Sequence, residues 1–187
     1  MVDEGATWSG YGLSPFGLVE ELLKEDPWQL LVACILLNRT GRMTVDRVLG
    51  PLFSRWPSAR ALLDGTETST AELEGILRPV GFQRKRSRML RRFSLEFLEV
   101  VAETGIPLPL DRLHGLHGVG QYACDAHEIF IRGDLESTRP SDNFLQMFVE
   151  RRRLRPGMTE FTRTAEPNLA RDSVRVAGPR PAASRFS

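Results

Sequence analysis

The sequence predicts an all-α fold, and three observations carry that expectation. Apolar residues recur at helical spacing along the middle of the chain, helix-start devices built from Ser or Asp followed by Pro recur, and no segment makes a strong strand candidate. With 187 residues, 41% of them hydrophobic, the chain can fill one core, or two small helical lobes sharing one, but not several independent domains.

The elements follow in order. Residues 1–13 are glycine-rich and polar and are set apart as a flexible N-terminus. Ser14 as cap with Pro15 at the first helical position predicts a helix to about Lys24. Asp26-Pro27 repeats the device before helix 28–37, whose apolar residues cover more than one face and place it inside the fold. Asn38-Arg39-Thr40-Gly41 then makes an exposed turn. A helix over 45–56, a second capped by Ser58 and ending at Leu63, a loop over 64–69 and a short helix ending before Pro79 come next. From Arg84 to Thr104, Met89, Leu90, Phe93, Phe97, Val100 and Val101 form the clearest amphipathic helix, stopped by Gly105, Pro107 and Pro109. Short pieces surround Leu116-His117-Gly118-Val119-Gly120, Tyr122–Phe130 is helical, and Asp142 opens a last helix over 143–152. Residues 154–187, rich in Arg, Pro and Ser without sustained period, are expected to be a disordered tail.

Composition narrows the function classes. Two cysteines cannot make a four-cysteine zinc or iron–sulfur site, and nothing at the N-terminus has the order of a secretory signal, so a reduced intracellular compartment is expected. The longest apolar run, Leu30–Leu37, is too short for a membrane span, and a soluble chain with no membrane partner follows as an expectation. Net charge is +1, yet residues 151–187 carry nine basic against three acidic side chains. Arg84, Lys85, Arg86, Arg88, Arg91 and Arg92 form an acid-free patch that could meet phosphates or be a solvated helix face. Lys24 and Lys85 are the only lysines, which leaves few nucleophiles for Schiff-base chemistry.

Gly118-Val119-Gly120 between two helices could be an ordinary tight turn. It could equally expose consecutive N–H groups to a phosphate, helped by the field of the next helix. It stands 22 residues before Asp142, room for one helix and a return loop to bring the carboxylate to the same side. An aspartate opening a helix is ordinarily its cap. Near an anomeric carbon the same group would stabilise oxocarbenium-like charge, attack it, or position water. His114 and His117 lack the further donors a metal would need, so no side-chain metal ligand is assigned; His117 is read as a hairpin hydrogen-bonding residue, and His127 as a surface or interlobe group.

Six motifs then decide between these readings. Ser14-Pro15-Phe16-x-Leu18-Val19, Asp26-Pro27-Trp28-x-Leu30-Leu31, Leu37-Asn38-Arg39-Thr40, Leu77-x-Pro79-x-Gly81, Leu116-His117-Gly118-x-Gly120-x-Tyr122 and Pro140-x-Asp142 occur in one order. Over residues 14–153 the chain resembles the glycosylase domain of the methyl-CpG-binding-domain repair proteins, a branch of the helix–hairpin–helix base-excision superfamily. The resemblance implies a two-lobed all-α helix–hairpin–helix glycosylase fold. It also implies a nuclear, monomeric, mismatch-specific and monofunctional enzyme that removes thymine or uracil mispaired with guanine from double-stranded DNA. By the same resemblance Asp142 is the catalytic carboxylate. Tyr122, Leu18 and Val19 line the base pocket, and Glu20 stands where a glutamine hydrogen-bonds the pyrimidine. Arg39 and Phe82 fill the space left by the flipped nucleotide, while His117, Gly118, Val119 and Gly120 grip a phosphate. No cofactor is implied beyond an alkali cation at the hairpin carbonyls. Departures are Glu20 for glutamine, Asn143 for histidine, Phe144 for lysine, and Glu150-Arg151-Arg152-Arg153 where an aromatic end is expected. They keep two alternatives open, a catalytically impaired DNA-binding homologue and a helical protein-interaction adaptor.

Overall fold

A computed structural model of the chain describes residues 17–64 and 67–154. Among them lie eight α-helices and no strand: α1 (Pro27–Leu37), α2 (Arg42–Arg55), α3 (Ala59–Leu63), α4 (Glu67–Leu77), α5 (Gln83–Thr104), α6 (Leu110–His114), α7 (Gln121–Phe130) and α8 (Asn143–Leu154). The expectations of a flexible N-terminus over 1–13 and a disordered tail over 154–187 fall outside the described residues, except at Leu154, which belongs to α8.

Local signals account for most boundaries. Asp26 caps α1, its carboxylate accepting the Gln29 N–H at 3.0 Å with Pro27 in the first turn, and Ser58 caps α3 by accepting the Ala61 N–H at 3.3 Å. Nine of the eleven residues of α1 are buried, so this helix forms the centre of the molecule rather than a face of it. Trp28 fixes its angle, donating its indole N–H to Ser94 Oγ of α5 at 2.9 Å and meeting Phe53 of α2 edge-on.

Around α1 the helices form two groups. In one, α3 and α4 pack on α5, and α2 packs on α4. In the other, α7 packs against α6, α8 and the short segment Val19–Glu21. Helix α1 touches both, so the chain passes from the first piece of one lobe into the other at α2 and returns after α5.

Two expectations are corrected. The start of the helix expected from Ser14 to Lys24 lies outside the described residues; from Gly17, whose φ is +56°, to Lys24 there is a single 3-10 turn, Val19–Glu21, in place of the expected helix. The loop predicted over 64–69 is shorter, because α4 begins at Glu67.

Candidate active site

A cavity of about 600 Å³ opens where the two lobes meet. Leu18, with Val19 and Glu20 of the 3-10 turn it precedes, forms one wall, and Cys34, Leu37 and Asn38 at the end of α1 form the floor. Arg42 comes from the first turn of α2, Gly118 and Gly120 from the hairpin, Gln121, Tyr122 and Ala123 from α7, and Asp142 and Phe144 from the start of α8. The structure thus gathers Leu18, Val19, Glu20, Tyr122, Gly118, Gly120 and Asp142, seven residues singled out from the sequence, around one space.

Glu20 is 1% exposed although it lines the cavity. Its Oε1 accepts the Tyr122 O–H at 2.6 Å and a weaker bond from the Cys34 thiol at 3.9 Å. Loss of hydration pushes the Glu20 carboxyl up, assisted by nearby Asp142 and opposed by the Tyr122 hydrogen bond and by Arg42. Burial, followed by Glu20, raises the Tyr122 phenol, and the same pair raises the Cys34 thiol. Both remain neutral donors. Arg42 Nε lies 3.7 Å from buried Asp46, so the cation beside Glu20 is itself tethered to a second acid.

Asp142 is half-exposed. Its Oδ1 accepts the N–H groups of Phe144 at 2.9 Å and Leu145 at 3.0 Å, so it does cap α8. Cap and cavity group are one residue: the cap fixes the carboxylate in position, and the cavity wall gives it something to face.

The two glycines of the hairpin differ. Gly118 has φ +85°, and a Cβ there would meet Met89 Sδ at 3.0 Å, so the fold itself requires glycine. Gly120 has φ −110° and open space where its Cβ would be. Nothing within the protein calls for its bare backbone, while an anion approaching the uncapped first turn of α7 would. His117 takes part through its backbone, donating its N–H to Glu96 Oε2 at 2.6 Å. Burial works against ionisation of Glu96, but the Arg92 hydrogen bond and this amide outweigh it and hold the carboxyl below its usual range. Val119 is partly buried against the core.

Arg39 and Phe82 are the only non-glycine residues with positive φ among the described ones, at 58° and 49°. Both sit on turns, and Phe82 is 79% exposed. A left-handed backbone costs a side-chain-bearing residue about 1–2 kcal/mol, and an aromatic ring held in water gains no burial. Two unfavourable features on one residue point to use outside the folded chain.

No protein-family model matches the chain. It is 35% identical over 142 residues, 76% of its length, to a methyl-CpG-binding domain protein 4-like protein of Arabidopsis thaliana, covering 29% of that protein. It is 35% identical over 98 residues, 52% of its length, to a thymine/uracil-DNA glycosylase of Pyrobaculum aerophilum, covering 41% of it. A solved non-covalent endonuclease III–DNA complex shares the fold, with a TM-score of 0.52, 23% identity, and 60% of this chain aligned with 51% of that one. The chain thus resembles named DNA glycosylases over about half of its length and shares the all-α fold of the endonuclease III chain. It spans less than half the length of the curated relatives it matches.

Within this fold the basic patch divides: Arg86 is buried and Arg91 bonds the Leu62 carbonyl and Ser69, while Arg84, Lys85, Arg88 and Arg92 stay exposed, Arg92 pairing with Glu96 and Arg84 lying 3.8 Å from Glu74. His127 is not at the surface but 0% exposed, with neither ring nitrogen hydrogen-bonded, and burial, then Arg132, lowers it to about 4. Arg42 was not anticipated; its place one turn before an acid at i+4, directly after the Arg39 turn, was the available signal. Among the described residues no group of three His, Cys, Asp or Glu side chains converges on a metal position, and no helix is long and apolar enough to cross a membrane.

Proposed function

We propose that the chain is a monofunctional DNA glycosylase that hydrolyses the N-glycosidic bond of thymine or uracil mispaired with guanine. The observation that carries this reading is Asp142: a half-buried carboxylate, fixed by two backbone N–H bonds, on the wall of a cavity roomy enough to admit an extruded nucleotide, whose other walls include Tyr122 and Glu20.

A glycosidic bond inside stacked DNA is out of reach, so the nucleotide must be extruded at a cost of a few kcal/mol, least at a mismatch. Arg39 and Phe82, both held outward in left-handed turns, suit the vacated space, and the Gly118–Gly120 hairpin suits a nearby phosphate. As the bond from C1′ to the base nitrogen breaks, its electron pair leaves with the base and positive charge develops on the sugar. Asp142 stabilises that charge, water adds to C1′, and the proton it loses passes through solvent to the departed base anion, giving a C1′ hydroxyl and the neutral base. None of the described residues lining the cavity is a lysine, and Tyr122 is a neutral phenol, which supports base removal without a Schiff base. Buried Glu20, in its neutral form, can donate to a pyrimidine carbonyl where an ionised carboxylate would repel it. The substrate would be mismatched duplex bound by a monomer, in a nucleus where the cell has one. An alkali cation at the hairpin would use backbone carbonyls, of which those of Leu116 and Gly120 already accept amides from Val119 and Cys124; no step depends on it.

Glu20 and the missing aromatic end of α8 favour a second reading, a DNA binder that has lost chemistry. A strand assay with alkaline cleavage on G·T, G·U, G·5-methylcytosine and matched duplexes separates the two: base release from G·T and G·U alone supports the enzyme, and tight binding with no release supports the binder. Absence of duplex binding would leave the adaptor.

A further inference from the structure

The cationic run at the start of α5 contains one residue unlike the rest. Arg84, Lys85 and Arg88 are exposed, whereas Arg86 is 8% exposed and shares its helical phase with buried Leu90, Phe93 and Phe97. Its guanidinium reaches across to the end of α1. Nη1 donates to the carbonyls of Leu36 at 3.1 Å and Ile35 at 3.5 Å; Nη2 donates to the carbonyl of Asn38 at 3.2 Å and to Thr40 Oγ1 at 2.6 Å. All four acceptors are neutral. Three are carbonyls at the C-terminal end of α1, where helix geometry leaves them without intrahelical donors and concentrates partial negative charge. That explains how a buried cation is tolerated here, and also what it accomplishes: Asn38 and Thr40 flank Arg39, so one guanidinium grips the turn on both sides of the outward-facing residue. At its other end Arg86 belongs to the first turn of α5, its own N–H bonded to the Phe82 carbonyl at 2.9 Å.

We propose that Arg86 is a positioning residue that locks the Arg39 turn to the Phe82 turn, so that the two side chains meet DNA as a single wedge. Left-handed backbone at a residue with a Cβ persists only when its surroundings over-determine it. The planar fork of arginine, with donors pointing to several acceptors at once, supplies that constraint to the 38–40 segment, and a lysine ammonium cannot reproduce it. The use of the wedge rests on the base-flipping reading above; the lock is a property of the free protein.

Two arms test it with Arg86→Lys, which keeps the charge, and Arg86→Gln as a second variant. In free protein, amide exchange at Thr40, whose N–H bonds the Leu37 carbonyl at 3.1 Å, should quicken about tenfold while core amides of α2 and α7 stay within about twofold. On a G·T duplex with a fluorescent base beside the mismatch, Arg86→Lys should lose extrusion about as far as Arg39→Ala does, roughly tenfold, with matched-duplex binding nearly unchanged. The double variant Arg39→Ala/Arg86→Lys should be no worse than Arg39→Ala alone, since both act through one side chain. A merely structural arginine would lower melting temperature and leave extrusion per folded molecule intact. Unchanged exchange at Thr40, or losses that multiply in the double variant, overturns the proposal. If the wild-type protein extrudes no base, the flipping reading falls, and exchange at Thr40 still decides for or against the lock.

Discussion

Glu20 and Asp142 line the same cavity and are built as opposites. Glu20 is enclosed by α1, α7 and its own turn, is hydrogen-bonded by a phenol, and is pushed toward its neutral form by burial. Asp142 is reached by solvent and receives two backbone N–H donors at the positive end of α8. One carboxyl is suited to offering a proton to a base and the other to facing a developing cation. The difference teaches that the fold gives two chemically similar groups on one cavity different environments, one enclosed and one reached by solvent.

The contrast breaks most sharply at Asp142. Asp142→Asn keeps the size of the side chain and remains a good helix cap, so stability should change by less than about 1 kcal/mol. Single-turnover base release should fall roughly a thousandfold, which corresponds to about 4 kcal/mol of lost transition-state stabilisation. Excision within a few fold of wild type at saturating enzyme would show that the residue is a cap and nothing more.

A smaller effect is expected at Glu20, and its sign depends on pH. Its folded carboxyl titrates above the ordinary value of 4.5, so the neutral donor is present at low pH and is lost as pH rises through the folded value. Excision of thymine and uracil should therefore decline on the alkaline side, and Glu20→Gln should remove that limb, with a gain over wild type that grows as pH rises and disappears where Glu20 is neutral. Stability follows the same sign: neutral Glu20 is favoured by the fold, so the wild type should lose stability relative to Glu20→Gln as pH rises from about 4.5 upward. Profiles of identical shape for the two proteins would place Glu20 outside base recognition.

How much of this was legible in the sequence depends on the range of the interactions. Asp26, Pro27 and Ser58 act within a few residues of themselves, and the helices they start were readable. The apolar period of α5 was readable too, and the phase relating Arg86 to Leu90, Phe93 and Phe97 already set it apart from its cationic neighbours, although charge alone grouped them. From Gly17 onward the expected first helix gives way to a 3-10 turn, and the left-handed backbone of Gly17 that accompanies the change is not announced by composition. Ordered motifs brought Asp142, Tyr122 and Glu20 to attention, but the burial of Glu20 follows from a phenol 102 residues away and a cation on another helix. Such long-range enclosure has no local signal. His127 shows the same limit: its Nδ1 lies 3.5 Å from Oε1 of neighbouring Glu128, yet that neighbour does not announce that the ring is fully buried.

That histidine supplies a control, a buried titratable group away from the cavity. Its folded value of about 4 lies below the ordinary 6.5, so the stability it confers is present above pH 6.5 and is lost as pH falls toward 4. His127→Leu fills similar space without a proton to bind. Denaturant midpoints between pH 4 and 6.5 should flatten in the variant, removing a slope of up to roughly 1.4 kcal/mol per pH unit, while the pH dependence of excision by folded protein stays as in wild type. A changed excision profile would mean that part of the pH dependence attributed to the cavity arises elsewhere in α7.

The finest test addresses how Glu20 is tuned rather than whether it acts. The Tyr122 O–H donates to Glu20 Oε1 and so favours the ionised acid, opposing the larger effect of burial, and Arg42 works in the same direction as the phenol. Tyr122→Phe retains the ring as a cavity wall while deleting that donor. Burial is then less opposed, the neutral acid survives to higher pH, and the alkaline limb of the excision profile should move upward by about one pH unit or less. Arg42→Gln should move it the same way, although Arg42 also faces Asp46, whose carboxyl burial already raises, and so carries a stability cost that Tyr122→Phe avoids. The decisive comparison is made in the Glu20→Gln background, where no carboxyl remains to be tuned and Tyr122→Phe should leave the profile flat. A downward shift in the single variant, or a pH-dependent effect that persists in the double, would show that the phenol acts on the substrate directly, and the division of labour between the two carboxylates would then need a third participant.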